Sequence, residues 1–217
     1  MTATLNAKAF DSLIKSASHK YGPIELAPAP LLDQFVWSYL LWEASLTDAE
    51  RAFKKVTSAV VDFNELRVCL ADEIVSIIGP RYPRATERAA LLKKGLHSVF
   101  LREHAVSLDH LKDANKRAAR QYLESLEGVP MFVSGRVLVL GLGAHAAPLD
   151  ERLMGCLADE DVFEGDEIDL ARASSLLERH IKAEDGLATH LTLLRWAEDA
   201  AGKPRRSGSK RAKARKA

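Results

Sequence analysis

Several residue groups in the 217-residue chain have types and spacings that could do chemistry. Asp150 follows Pro148 and Leu149 and opens an apolar-periodic segment. A carboxylate there can cap a helix, or it can stabilise a developing cation and orient water. Leu126, Glu127, Gly128, Val129 and Pro130 form a tight turn between two apolar-periodic stretches. A hairpin opening a second helix turns backbone N–H groups outward and can hold a phosphate without a basic side chain; the alternative is an ordinary corner of a helical bundle. The run from Val137 to Ala146 contains Gly141, Gly143 and Ala146 as G-x-G-x-x-A, the pattern of a dinucleotide loop. Its context opposes that reading, because Pro148 would interrupt the required helix and no β-α-β alternation surrounds it.

The remaining candidates are weaker. His104, Asp109 and His110, or His180 and Glu184, could ligate a metal, but neither set has a third ligand at useful spacing, and both read as helix-face residues. Cys69 and Cys156 cannot supply four thiolates to an iron-sulfur cluster and read as small core residues. The acidic stretch from Asp159 to Asp169 is interrupted by Val162, Phe163 and Ile168 and lacks the carboxylate pattern of a calcium hand. It reads as a solvated loop leading to a capped helix. No cofactor or metal is expected.

Charge is unevenly spread. Residues 203–217 carry eight Lys and Arg and no acid, so this segment is +8 and reads as a disordered basic tail. The rest holds 23 basic against 30 acidic residues, so any hold on a polyanion must come from a local patch or the tail. With 47% hydrophobic residues the body can bury a real core. No secretory or membrane-spanning segment is recognised, which predicts a cytoplasmic protein.

The elements that must position these groups are helical throughout. Gln34 to Ser45 is apolar almost all round, as suits a helix buried in a bundle. Thr47 and Glu50 form a capping box ahead of a stripe through Ala49, Ala52, Phe53, Val56 and Val60. A short helix should end near Ile78, where Gly79 can take a left-handed stop and Pro80 cannot continue. Further helices are predicted over 84–103, after Ser107, from Asn115 to Leu126, from Met131 to Leu142, and over 149–158, 170–183 and 187–201. The fold class is all-α.

Together these features resemble the helix-hairpin-helix DNA glycosylase superfamily, in particular endonuclease III. That family's hairpin reads Leu-Pro-Gly-Val-Gly, followed by an apolar helix, a loop and a small apolar-Asp motif. Here these are Leu126 to Pro130, Met131 to Leu142, and Pro148 to Leu153. Upstream, Glu73 to Lys94 is similar to the family's Ile-Gly turn and following helix, and Phe35 to Asp48 to its first core helix. The resemblance covers roughly residues 30–200.

It implies two helical lobes, one of residues 1–29 with 148–202 and one of 30–147 with the helix-hairpin-helix at 115–142. Duplex DNA would lie between them, with Asp150 at the mouth as the catalytic carboxylate. Glu127, Gly128, Val129, Met131 and Phe132 would contact the DNA. The chain is expected to act as a monomer.

Departures shape the expectation. The lysine that bifunctional members use for a Schiff base is Phe132 here, which cannot be that nucleophile. Pro130 replaces the second hairpin glycine and has no N–H. The four-cysteine motif is absent, and the glutamine near the first core helix is replaced within Trp42, Glu43, Ala44 and Ser45. The expected function is monofunctional removal of a damaged base. The alternative is an inactive relative serving as a DNA-structure or protein-interaction module.

Overall fold

The computed structural model describes residues 3–165 and 168–201. The basic segment 203–217, and Asp166 and Glu167 of the acidic stretch, lie outside the described residues. Among the described residues the chain is all-α but for one pair of two-residue strands. The elements are β1 (Thr4–Leu5), α1 (Ala7–Tyr21), α2 (Leu31–Leu41), α3 (Leu46–Ala59), α4 (Phe63–Val68), α5 (Ala71–Ile78) and α6 (Ala85–Glu103). A 3-10 turn precedes α7 (Lys116–Glu124), then come α8 (Met131–Leu142), α9 (Glu151–Asp159), β2 (Phe163–Glu164), α10 (Leu170–His180) and α11 (Gly186–Ala201).

The apolar residues form two buried clusters. The larger is built by α2 to α8, with Phe35, Leu40, Ile74, Leu92, Leu96, Leu123, Val133 and Leu138 among its members. The smaller joins Phe10 of α1 to Leu149, Leu153, Leu157, Val162, Ala173, Leu177, Leu193 and Ala197. The chain leaves the first after Ala146 and enters the second at Ala147, while α11 reaches both through Leu194 and Leu193. No helix among the described residues is long and apolar enough to cross a membrane.

Sequence expectations hold most closely where the signals are local. Helix α8 has the expected bounds, and α5 stops at Ile78 with Gly79 at φ 107°. Gly141 lies inside α8 and Gly143 caps it at φ 54°, so the glycine pattern is a helix end and not a phosphate loop. Asp169 caps α10 by accepting from Arg172 N at 2.7 Å, as a loop leading to a capped helix requires.

Other expectations are corrected. Helix α2 ends at Leu41 and not Ser45, because Arg88 draws its terminal carbonyls away from solvent. The cap of α3 is Ser45, whose Oγ accepts Asp48 N at 3.0 Å; Thr47 lies inside the first turn. Ser107 starts only a 3-10 turn, and Asn115 caps α7. Helices α1 and α4 and the β1–β2 pair were not foreseen. Helix α1 buries only Phe10 and Ala17, too narrow a stripe to stand out, and the strands pair residues far apart in sequence.

Arg88 is the largest fully buried side chain. From α6 it donates to the carbonyls of Tyr39, Leu40 (3.1 Å) and Trp42 at the end of α2, and to Pro83 O at 3.0 and 3.2 Å. Burial pushes its pKa down to about 10, so it stays charged. The cation meets the negative end of the α2 dipole and satisfies carbonyls that no helix turn can reach. Replacing it with methionine should lower unfolding free energy by roughly 3 kcal/mol through orphaned carbonyls, read from urea denaturation.

Candidate nucleic-acid interface and active site

The hairpin between α7 and α8 depends on two glycines. Gly128 adopts φ 80°, and a Cβ there would sit 2.8 Å from Lys94 Cβ and 3.1 Å from Leu91 O. Gly95 lets the Tyr39 hydroxyl pass close to α6 and donate to Gly128 O at 2.8 Å. Among the described residues the N–H groups of Gly128, Val129, Met131 and Phe132 meet no acceptor, whereas Glu127 N donates to Ser98 Oγ at 3.1 Å. The Glu127 carboxylate pairs with Lys94 at 2.7 Å. Met131 is 39% exposed beside the turn.

The predicted DNA contacts thus divide. Gly128, Val129 and Met131 share an outward turn with free N–H groups. Glu127 has its N–H engaged and adds a partly neutralised negative charge. The Phe132 side chain offers no surface, being 1% exposed with its ring 6.2 Å from that of His190 on α11. One turn on, Arg136 donates to His190 Nε2 and Ser38 Oγ, each at 3.2 Å. Burial pushes Arg136 down to about 9 and holds His190 well below the usual imidazole range. The position expected of a nucleophilic lysine is therefore packed with an aromatic ring.

Asp150 is the N-cap of α9 and only 3% exposed. Its Oδ1 accepts Leu153 N at 2.8 Å, and its Oδ2 accepts Glu43 N, also at 2.8 Å. Glu43 reciprocates: its Oε1 accepts Glu151 N at 2.7 Å and its Oε2 accepts Arg152 N at 3.1 Å. The turn after α2 and the start of α9 are thereby clasped by three hydrogen bonds, while Leu153 N holds Asp150 within α9 itself. The geometry requires Glu43 at φ 58°, a left-handed conformation unusual for a residue with a side chain.

Burial, opposed by its backbone hydrogen bonds, raises the Asp150 carboxyl above the ordinary aspartate range. Glu43 is raised as well, first by burial and then by the Asp150 charge. Two cations flank the pair. Arg84 lies 4.6 Å over the Trp42 ring and pairs with Glu87, and Arg152 reaches Glu198 of α11 at 3.4 Å. Glu198 in turn accepts Leu46 N at 3.0 Å, tying the start of α3 to the same cluster.

Sequence reasoning named Asp150 and the hairpin as candidates but missed Glu43 as the partner of Asp150. The available signal was an acid directly after the buried α2 segment, where the family resemblance calls for a polar side chain. The other candidates lie apart: His180 bonds Asp11 at 2.6 Å, and His110 faces Glu103 at 3.6 Å. Cys69 and Cys156 are unbonded to each other and partly buried.

No protein-family model matches the chain, and no curated protein does. Solved structures match its fold. An endonuclease III trapped as a covalent intermediate with DNA is 13% identical with a TM-score of 0.64, covering 89% of this chain and 86% of that one. A thermostable thymine-DNA glycosylase is 16% identical with a TM-score of 0.60, covering 88% and 85%. An 8-oxoguanine glycosylase/lyase of Clostridium acetobutylicum, in complex with duplex DNA, is 11% identical with a TM-score of 0.69, covering 89% and 68%. The chain has the two-lobed helical fold of endonuclease III-like DNA glycosylases.

Two outcomes follow from the geometry. Gly128→Ala should destabilise the fold by roughly 2 kcal/mol, from the positive φ and the crowding at Lys94, as measured by chemical denaturation. An unfolded aspartate titrates near ~3.9, and Asp150 titrates higher when folded. Ionising it therefore loses stability. The stability of wild type relative to Asp150→Asn should fall as pH rises from below ~3.9 through the raised folded value. A relative stability that grows across that window in paired urea titrations would count against the dominance of burial.

Proposed function

We propose that the protein binds duplex DNA in the cleft between its lobes, residues 1–29 with 148–202 facing 30–147, and removes a damaged base as a monofunctional glycosylase. The observation that carries this reading is Asp150 at the start of α9, within a fold shared over 89% of the chain with a DNA-bound endonuclease III. The outward N–H groups of Gly128, Val129 and Met131 suit a phosphate, as the start of α8 adds its positive dipole end.

In the proposed reaction a water oxygen bonds to the sugar C1′ as the C1′–N bond breaks. The electron pair leaves with the base, one water proton is lost from the attacking oxygen to a base in contact with water, and the departing base takes a proton from solvent. The fixed Asp150 charge opposes the positive charge that develops on the sugar. Phe132 supplies no amine, so no covalent enzyme-sugar adduct forms.

A second reading is favoured by a specific observation. Asp150 is 3% exposed and both its oxygens accept backbone N–H groups, as suits a structural cap in a DNA-binding module without base release.

The test is a panel of duplexes containing a T·G mismatch, 8-oxoguanine or ethenoadenine, assayed for base release and then for strand cleavage after alkali. Release should be lost in Asp150→Asn with folding intact, and borohydride should trap no protein-DNA adduct. Trapping through any lysine overturns the monofunctional reading, and unchanged release in Asp150→Asn returns that residue to a purely structural role.

The basic segment 203–217 provides a separate, nonspecific route to DNA through counterion release. A chain ending at Gly202 should still bind duplex DNA, more weakly and with a smaller salt slope, and Gly128→Ala should weaken it further. Complete loss of binding on removal of the segment, with no response to Gly128, would support an interaction domain carrying a basic tether.

A further inference from the structure

The Asp150 carboxylate is poorly placed to receive a proton from water. It is 3% exposed, each oxygen is held by a backbone N–H at 2.8 Å, and the turn carrying Glu43 lies over it. Glu43 differs in the one respect that matters. Its carboxylate accepts Glu151 N and Arg152 N, yet the residue is only partly buried, so water can approach the remaining lone pairs. Its left-handed backbone turns the N–H toward Asp150 and the side chain toward α9, which brings two carboxylates from opposite lobes to one place.

We propose that Glu43 is the acid-base group of the site, taking the proton of the attacking water while its own N–H holds Asp150 in position. The inference rests on the glycosylase reading above. The balance is simple: the water oxygen bonds to C1′, one water proton passes to Glu43, the C1′–N pair leaves with the base, and the base takes a proton from solvent. Asp150 keeps its charge throughout and faces the cationic sugar. The division suits the two environments, since the base must meet water and the electrostatic partner must be fixed.

The charged groups around Glu43 are Asp150, Glu151 and Arg152 of the α9 start, Arg84 at the start of α6, and Arg88 behind Trp42. Burial and the Asp150 charge raise Glu43, and Arg84 opposes them. A base must be ionised, so activity should rise with pH through the raised Glu43 value.

The experiment uses the full chain on whichever duplex of the panel it releases a base from, comparing wild type, Glu43→Gln, Glu43→Asp and Asp150→Asn for single-turnover rate, DNA affinity and melting temperature. Glu43→Gln should slow base release on the order of 100-fold, with DNA affinity within about threefold of wild type. Its acid limb should move to lower pH, because Asp150 loses a like-charged neighbour. Glu43→Asp should recover part of the rate.

Base release by wild type that vanishes in Asp150→Asn but persists in Glu43→Gln overturns this inference alone. Slow release that Glu43→Asp leaves unrelieved and that tracks a lowered melting temperature makes Glu43 structural and also overturns it. Absence of release from every duplex by wild type ends the glycosylase reading and this inference with it.

Discussion

A single buried guanidinium sets the geometry on which the candidate site rests. Arg88 gathers carbonyls from Tyr39, Leu40 and Trp42, and from Pro83 on its own side, so the end of α2 is fixed to the start of α6. Helix α2 must therefore stop at Leu41. The next residues turn sharply, and Glu43 takes the left-handed conformation that directs its N–H at Asp150. A buried cation without a carboxylate partner is normally costly, but here the carbonyl dipoles of a helix end surround it. A chain of constraints thus runs from α6 through α2 to the first turn of α9, which belongs to the other cluster.

At the far end of that chain two carboxylates share a space where like charges repel and burial disfavours both. Their positions are held by backbone N–H groups: two at the start of α9 for Glu43, and one each from Leu153 and Glu43 for Asp150. Charge-assisted bonds of this kind are stronger than neutral ones, and the positive end of α9 favours both anions. Burial still prevails, since both carboxyls titrate above their ordinary ranges. The same clasp joins the segments of the two buried clusters. Any motion that separates α9 from the α2–α3 turn must free the Glu43 carboxylate and remove one of the two N–H groups on Asp150 together.

The sequence displayed the parts of this arrangement that local physics controls. Gly128 and Gly79 mark turns because positive φ excludes most other residues, and a cap is one of the two readings of Asp150 because its carboxylate can serve an N–H three residues on. The expected bounds of α8 hold, with Pro130 before its first residue and Gly143 after its last. What stayed hidden were partnerships across large sequence separations. Nothing local pairs Glu43 with residues 150–152, Arg88 with the end of α2, or Thr4 with Glu164. The capping box at Thr47 failed for a related reason: Ser45 offers the same hydroxyl chemistry two residues earlier, and the choice was made by Arg88 ending α2 and Glu198 binding Leu46 N. Phe132 shows that its position carries no amine, while its place among Arg136 and His190 depends on α11.

The hairpin shows how a body with an excess of acids could still attract a phosphate. Pro130 removes one N–H and Ser98 occupies that of Glu127, so the seat is narrower than the turn alone would allow. What remains is the group of N–H donors around Gly128, Val129 and Met131 together with the dipole of a twelve-residue helix. Lys94 neutralises Glu127 at the rim, which removes the nearest repulsive charge without adding a net cation. Affinity built this way falls off within a turn of the helix end and does not depend on net charge. On the proposed reading such a seat would favour an anion brought into contact over one at a distance, the reverse of what eight cations on residues 203–217 would provide.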